Sequence, residues 1–564
     1  MPEHTRAEAF DVCIVGSGAG GGMTAYALTQ AGARVVMLEA GPEWYSTRDS
    51  AMLKWPYQSP RRGAPTRERP FGEFDGCIGG WDIEGEPYTV AEGQRFDWWR
   101  GRMLGGRTNH WGRISLRFGP DDFRRKSIDG LGDDWPIGYD DVKPYYDRID
   151  RLIGLFGSQE NLPNEPNGIF LPPPRPRCYE LLMKQAADRL GVTMIPSRLS
   201  ILTKPLNGRT SCHYCGQCGR GCGVNANFSS PGVLIAPALQ TGKLTLRTNA
   251  MVREVTVGPD GRATGVSYVD KSTGREEAVR ARVVVLAASA CSSARILLNS
   301  RSSRFPQGLA NSSGVVGKYL TDTTGTDVMG FIPKMMDHVP HNEDGVGGMH
   351  LYMPWWLDNA KLDFPRGYHI EPWGGLGVPA YGFMGGIQRY PGGGGYGKQL
   401  KDEYRRYYGA TVGFSGRGEM IPNEDSYCEI DPDVVDQWGI PVLRFHWKWS
   451  DHEYNQSKHM QETFRALIHE MGGEPFSPMP TKEEGYALAP GGRIIHELGT
   501  TRMGSDPSRS VLNANCQAHD VKNLFVADGG PFVSQANKNP TWTILALAWR
   551  TADYITDQQK KGAL

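Results

Sequence analysis

Alternating apolar and polar positions divide the chain into discrete elements. Residues 10–15, FDVCIV, are a short apolar run with β-branched residues that ends at Gly16, which predicts a buried strand. A helix is predicted through Met23, Ala27 and Leu28, stopping at Gly32, and the run RVVMLE is a second strand that closes on Glu39. Helical periodicity recurs around Val142–Leu155, over Tyr179–Leu190 and over Asp451–Met471. Residues 229–242 read as a helix and 243–258 as two strands. Residues 263–270 and 277–300 read as a hairpin, a buried strand and a helix. The stretch LRFHWKWS (443–450) alternates as a strand does, and NLFVADGG (523–530) is a buried strand ending in Asp528. Pro540 then opens a final helix at a position where its missing N–H is not needed.

Between these elements the pattern lapses. Residues 50–100 are rich in Pro, Gly, Arg and Trp and read as a long surface excursion, and 100–118 read as a loop leading into a strand. LPPPRPR (171–177) is a Pro-rich linker, and 325–480 alternate aromatic and Gly-rich segments, GGGGYG at 392–397 among them. No internal repeat is found.

At 564 residues the chain suggests two or three domains, or one large enzyme with a split core. Lys plus Arg and Asp plus Glu both number 62, and without net charge or a basic block a nucleic-acid partner is excluded. No apolar run reaches the length of a membrane span, and the first residues, MPEHTRAEAF, carry no apolar signal region. By sequence the chain reads as cytoplasmic, with a periplasmic location open to it if a partner subunit carries it across.

Gly16, Gly18 and Gly21 form G-x-G-x-x-G between the first strand and its helix, and Glu39 follows 23 residues after the first glycine, at the end of the next strand. In that setting the glycines let the backbone reach a pyrophosphate, the helix N-terminus stabilises its charge, and the acid accepts bonds from a ribose. The motif does not by itself separate FAD from NAD.

A second constellation is CHYCGQCGRGC, with Cys212, Cys215, Cys218 and Cys222 spaced C-x2-C-x2-C-x3-C. Thiolates this close on a Gly-rich loop can converge on one soft metal centre, in the spacing of a bacterial ferredoxin loop. A structural zinc site is a second reading, although no second C-x2-C pair follows at ribbon spacing. Two cramped disulfides or free thiols are a third. Cys13 and Cys291 lie in apolar stretches and are expected as buried thiols.

VGSGAGG with LEAG, MLGGRTNHWG, AASACSSARILLNS, GVVGKYLTD, HELGTTRMG, and FVADGG with NPTWTILALA together resemble the glucose–methanol–choline (GMC) family of flavin oxidoreductases. The resemblance implies an α/β, two-domain fold of α+β type. In it a Rossmann-type FAD-binding domain is built from a split chain (1–50, 90–160, 225–325 and 485–564), 160–225 hold a linker and an iron–sulfur loop, and 325–485 form a sheet-based substrate domain. It implies FAD as cofactor, with Gly16, Gly18, Gly21 and Glu39 at the adenylate half and Val252 at the adenine. Gly105, Gly106, Asn109 and His110 would approach the flavin ring, and Asp528 and Asn539 would hold its ribityl and ring ends. His110 would be either a flavin neighbour or a covalent attachment point. His496 and Asn539 are implied as the catalytic pair, and imidazole suits the task because its ordinary pKa lies near working pH.

The cysteine run is similar to the loop of bacterial membrane-associated sugar dehydrogenases, glucoside 3-dehydrogenases above all, in which three cysteines hold a [3Fe–4S] cluster. Cys212, Cys218 and Cys222 match that spacing, and Cys215 is additional, which leaves [4Fe–4S] open. The implied reaction oxidises a pyranose hydroxyl, at C3 of a glucoside, to a ketone. Oxidation of glucose or gluconate, or an O2-using pyranose oxidase, is the alternative. A small subunit and a cytochrome c are the implied partners. Arg502 and Lys538 near these motifs are candidates for substrate contact or for structural ion pairs, and Trp355, Trp356 and Trp373 for stacking on a sugar or for core packing.

Overall fold

The run FDVCIV is strand β1, Phe10–Val15, with its last four residues buried as a two-sided core strand requires. The structure is a computed structural model that describes residues 10–50, 56–58, 64, 66, 76–337, 345–376, 389–390 and 393–564. Part of the excursion expected at 50–100, and Gly392 of the GGGGYG run, lie outside the described residues.

After β1 come helix α1 (Ala19–Gln30) and strand β2 (Val35–Leu38). Helices α2 (Tyr139–Ile153) and α3 (Cys178–Arg189) follow within about three residues of their predicted positions. Next are strands β3 (Leu244–Arg247), β4 (Ala250–Val257), β5 (Ala263–Asp270) and β6 (Arg275–Leu286), then helix α4 (Ala290–Asn299). Strands β7 (Asp327–Phe331), β8 (Tyr368–Gly374), β9 (Thr411–Gly418), β10 (Tyr427–Val435) and β11 (Pro441–His446) lead to helix α5 (Asp451–Glu470). Strand β12 (Glu474–Pro475), strand β13 (Leu524–Val526) and helix α6 (Thr541–Lys560) complete the set used below.

The first sheet runs β3-β2-β1-β6-β5-β4, with β13 beside β6. The hairpin and the buried strand expected separately are one strand. The first half of β6 pairs antiparallel with β5, and its second half pairs parallel with β1 and β13. Its burial changes accordingly, from alternating positions to the continuous run Val283–Leu286. The carboxyl ends of β1, β6 and β13 therefore meet at one edge, where an α/β sheet binds its ligand.

The second sheet, β8-β9-β7-β12, is antiparallel and is covered by α5, whose Met460, Phe464, Leu467 and Ile468 enter its core. A capping box starts α5, with the backbone N–H of Ser450 donating to Glu453 at 2.7 Å. Strands β10 and β11 form a third, small sheet with Thr89–Val90, and their Cys428, Leu443 and Phe445 pack into the core of the first sheet. Two expectations are corrected. Residues 110–118 make one isolated bridge, Ile114 with Leu199, rather than a strand, and 229–242 begin with a wide i→i+5 turn (Pro231–Ile235) before any α-helix. Among the described residues no helix is long and apolar enough to cross a membrane.

Candidate active site

Where β1, β6 and β13 end, a cavity of about 550 Å³ opens between the first sheet and the second. Gly16, Gly18, Glu39, Gly106, His110, Val252, His496, Asp528 and Asn539 all line it, so residues drawn from the whole length of the chain converge. Gly21, Gly105 and Asn109 lie just behind that wall.

The glycine-rich turn fits a pyrophosphate. Gly16 has φ +98°, and a Cβ there would sit 2.4 Å from the carbonyl oxygen of Ala287. Gly18 caps α1 with no side chain, the first turn carries no acid, and a Cβ at Gly18 would meet nothing within 4 Å. The positive end of α1 thus faces open space of the right size for an anion. Gly21 packs the helix on the strand, since a Cβ there would meet Gly16 O at 2.0 Å. Glu39 accepts from Ser17 Oγ and, at 2.8 Å, from the N–H of Gly41. Oε2 also accepts from the N–H of Ser17 at 3.3 Å, and Oε1 keeps a lone pair for a ribose hydroxyl. Ser17 also joins this turn to the next one, for Gly105 N–H donates to its hydroxyl at 2.8 Å.

Gly105 (φ +87°) and Gly106 (φ +49°) make a tight 3-10 turn. Gly106 and His110 face the cavity. Asn109 instead braces the turn from within, its amide donating to Leu104 O at 2.8 Å and Gly106 O at 3.2 Å. A Cβ at Gly105 would strike Pro231, so these two positions shape the wall without lining it. Burial, with Arg113 and Arg107 nearby, pulls His110 down to about 3, and its imidazole is neutral. Asp528 accepts from Ser293 Oγ at 2.6 Å and from Gly530 N–H at 2.7 Å, and burial pushes its carboxyl up to about 6.

The two groups matched to catalysis meet. Asn539, at the N-terminal end of α6, places Nδ2 3.4 Å from Nε2 of His496. The loop carrying His496 is held from behind: Asp322 accepts the N–H of His496 at 2.9 Å and that of Ile494 at 3.2 Å. Ile495 between them has φ +67°, strain that a β-branched residue tolerates only when its surroundings impose it. His496 Nδ1 lies 2.9 Å from Thr323 Oγ1, which accepts from Gln535 Nε2 at 2.9 Å. Desolvation, aided by Arg417, pulls the His496 imidazole down to about 3, so it is neutral and able to take a proton.

Sequence reasoning missed a carboxylate beside this pair. Glu371, on β8, accepts from Asn539 Nδ2 at 3.1 Å, lies 3.1 Å from His369 Nε2, and pairs with Arg417 of β9 at 3.1 Å. Burial opposes its ionisation, but Arg417, His369 and Asn539 together hold it down at about 2. No motif marks it, because the pairing of β8 with β9 brings it to the cavity. Glu497, joined to Arg107, is a second such carboxylate, and it directly follows His496 in sequence.

Other candidates fall outside the cavity. Lys538 is buried against Asp122 at 2.9 Å, and Arg502 pairs with Asp133 at 2.9 Å under the ring of Tyr319, so both are structural ion pairs. Trp355 and Trp356 pack in the core of the second sheet and Trp373 is partly exposed on β8.

No disulfide joins the four cysteines of the loop among the described residues, and all four line one small cavity with His213 and Asn227. The donor types are those of an iron–sulfur site. The geometry is not, because among the described residues no three His, Cys, Asp or Glu side chains are gathered closely enough to hold a metal ion. Ile114 belongs to the same apolar cluster as Cys218 and also lines the large cavity, so that cluster borders both.

Comparison with known proteins agrees with this arrangement. Over 98% of its length the chain is 30% identical to 2-methyl-1,2-propanediol dehydrogenase of Mycolicibacterium austroafricanum, covering 96% of that protein. It is 25% identical to the fructose dehydrogenase large subunit of Gluconobacter japonicus, covering 98% of each. Formate oxidase of Aspergillus oryzae superposes with a TM-score of 0.66 at 14% identity, over 99% of this chain and all of that one, and so shares the fold. Residues 19–324 match the N-terminal family model and 422–548 the C-terminal one. The chain belongs to the GMC oxidoreductase family.

Proposed function

We propose that the protein is an FAD-dependent dehydrogenase that oxidises a pyranose hydroxyl, at C3 of a glucoside, to a ketone. The observation that carries the oxidation chemistry is the His496–Asn539 pair, set on the wall of the cavity that the glycine-rich turn opens. FAD, when bound, supplies the acceptor for the hydride that leaves the carbinol carbon. The chain's own residues do the rest. His496 Nε2 takes the hydroxyl proton, and Asn539 holds the same oxygen and fixes its direction. Gly16, Gly18 and the N-terminus of α1 hold the pyrophosphate, Glu39 the ribose, and Val252 the adenine edge. His110 and Gly106 line the ring, Asp528 the ribityl chain, and His110 acts as a non-covalent neighbour. The divided chain of the first sheet serves as the FAD-binding domain and the segment of β7–β9 and α5 as the substrate domain.

The choice of a glucoside rests on the similarity of the cysteine run to sugar dehydrogenases. The relatives named for a small diol and for fructose favour a second reading, oxidation of a free sugar or polyol. The cysteine loop carries the donor types of a cluster that would pass electrons toward a cytochrome c through a small subunit, although its side chains stand too far apart in this structure to hold one. The apolar cluster that the loop shares with the cavity wall, and a relative named as a large subunit, support this reading, and no step is routed through the loop. Anaerobic mixing of the FAD-loaded protein with methyl glucosides, free sugars and diols, followed by product analysis, tests the reading. A 3-keto glucoside supports it, and turnover of diols alone replaces it by the second.

A further inference from the structure

Glu371 has no place in the motifs above, yet it is the only anion in contact with Asn539 among the hydrogen bonds of the described residues. Its orientation is fixed on three sides. Oε2 pairs with Arg417 Nη2 at 3.1 Å, and Oε1 lies 3.1 Å from both His369 Nε2 and Asn539 Nδ2. His369 is anchored in turn, its Nδ1 lying 2.7 Å from the carbonyl oxygen of Asn537 in the same loop as Asn539.

We propose that Glu371 is a positioning residue that, through the carboxamide of Asn539, selects the tautomer of His496 with a bare Nε2. The inference rests on His496 being the base of the proposed reaction. A carboxylate can only accept, so it holds the NH2 of Asn539 toward itself and turns the carboxamide oxygen away. The second hydrogen of that NH2 points at His496 Nε2, 3.4 Å off, and is satisfied only if Nε2 carries a lone pair. The ring proton then sits on Nδ1 and is donated to Thr323 Oγ1 at 2.9 Å, a hydroxyl that also accepts from Gln535. When substrate binds, that second hydrogen can turn from Nε2 to the substrate oxygen, which leaves the Nε2 lone pair to the hydroxyl proton, while Asn539 Oδ1 stays buried and without a protein partner. With the opposite amide orientation, Oδ1 would face both the Glu371 carboxylate and Nε2. That would repel the first and favour a proton on the second, which removes the base.

The test compares wild type with Glu371→Gln, whose amide can donate to Asn539 Oδ1 and so admits the opposite orientation. In protein labelled with nitrogen-15 at histidine, with His496→Gln used to assign the signal, wild type is expected to show His496 protonated at Nδ1. Glu371→Gln is expected to show a mixture with the Nε2–H form, and kcat is expected to fall about 10–100-fold. An Nε2–H signal in wild type, or an unchanged tautomer in Glu371→Gln, overturns the proposal. If Glu371→Gln does not fold, Glu371→Asp, which keeps the anion, is expected to retain the Nδ1–H signal, and its loss there overturns the proposal equally. Since the tautomer is read without turnover, failure of the proposed reaction itself shows separately, as a wild-type protein that no sugar or diol reduces.

Discussion

His496 and Asn539 stand 43 positions apart in the chain, on a strained loop and at the start of a helix, yet their Nε2 and Nδ2 atoms are 3.4 Å apart on one cavity wall. Neither element brings the pair together alone. Asp322 fixes the backbone of the loop, and the buried Lys538–Asp122 ion pair fixes the residue before Asn539. The geometry therefore depends on the packed protein and is in place before substrate arrives.

The neutral imidazole has a consequence for pH. His496 must be unprotonated to accept a proton, and its environment holds it at about 3. Protonation, and with it loss of the base, sets in only as pH falls through that value. We expect His496 to add no one-proton limb near 6.5 to kcat/KM between pH 8 and pH 5, so that any limb there belongs to Asp322 or Asp528, which burial raises to about 7 and about 6. Steady-state kinetics across that range checks this.

Two glycines on α1 separate cofactor binding from folding. Gly18 lies at φ −64°, a conformation any residue adopts, and its missing Cβ points into the empty cavity. Gly18→Val is expected to leave the melting temperature of the flavin-free protein unchanged while abolishing flavin retention. At Gly20 a Cβ would lie 1.6 Å from Ala527 O. Gly20→Ala is expected to destabilise the flavin-free protein by about 1–3 kcal/mol. Thermal melts paired with absorbance at the flavin band distinguish the two.

His350 offers a pH-dependent stability independent of the site. It is fully buried, with Nδ1 2.6 Å from Arg175 O and Nε2 accepting from Val346 N–H at 3.1 Å, which fixes one neutral tautomer. Burial, with Arg177 nearby, pulls it from 6.5 to about 4. Between those values the unfolded chain holds a proton that the folded one does not, so this group costs stability as pH falls from 6.5 to 4, in total about 3 kcal/mol. Denaturant titrations should show that His350→Gln flattens this part of the pH dependence.

A cluster at the cysteine loop would show as about three or four iron atoms per chain with matching sulfide in anaerobically purified protein, lost in Cys218→Ser. Elemental analysis showing zinc, or no metal, would remove the relay and leave an oxidase that delivers electrons to O2.

Local patterns made much of this legible. The nucleotide turn is readable because strand, glycines, helix and acid are contiguous, and α2, α3 and α5 because an amphipathic period survives without its partners. The union of hairpin and core strand in β6 was not, since the change from alternating to continuous burial depends on which neighbour each half meets. Glu371 was hidden for the same kind of reason, because the pairing of β8 with β9, not a motif, sets it beside Asn539. The motif marks Asn109 as a flavin contact; in the structure its NH2 braces the turn and its Oδ1 is buried without a protein partner. Four cysteines in eleven residues show their donor chemistry in sequence, but the spacing does not fix how closely their side chains gather.

The most direct test is anaerobic mixing of the FAD-loaded protein with a large excess of sugar, glucoside or diol, followed at the flavin absorbance, for wild type and His496→Gln side by side. The account predicts rapid bleaching of wild type by at least one of these alcohols, and bleaching slowed by about 10²–10⁴-fold in a variant that still holds its flavin. Equal bleaching rates in the two proteins would contradict it.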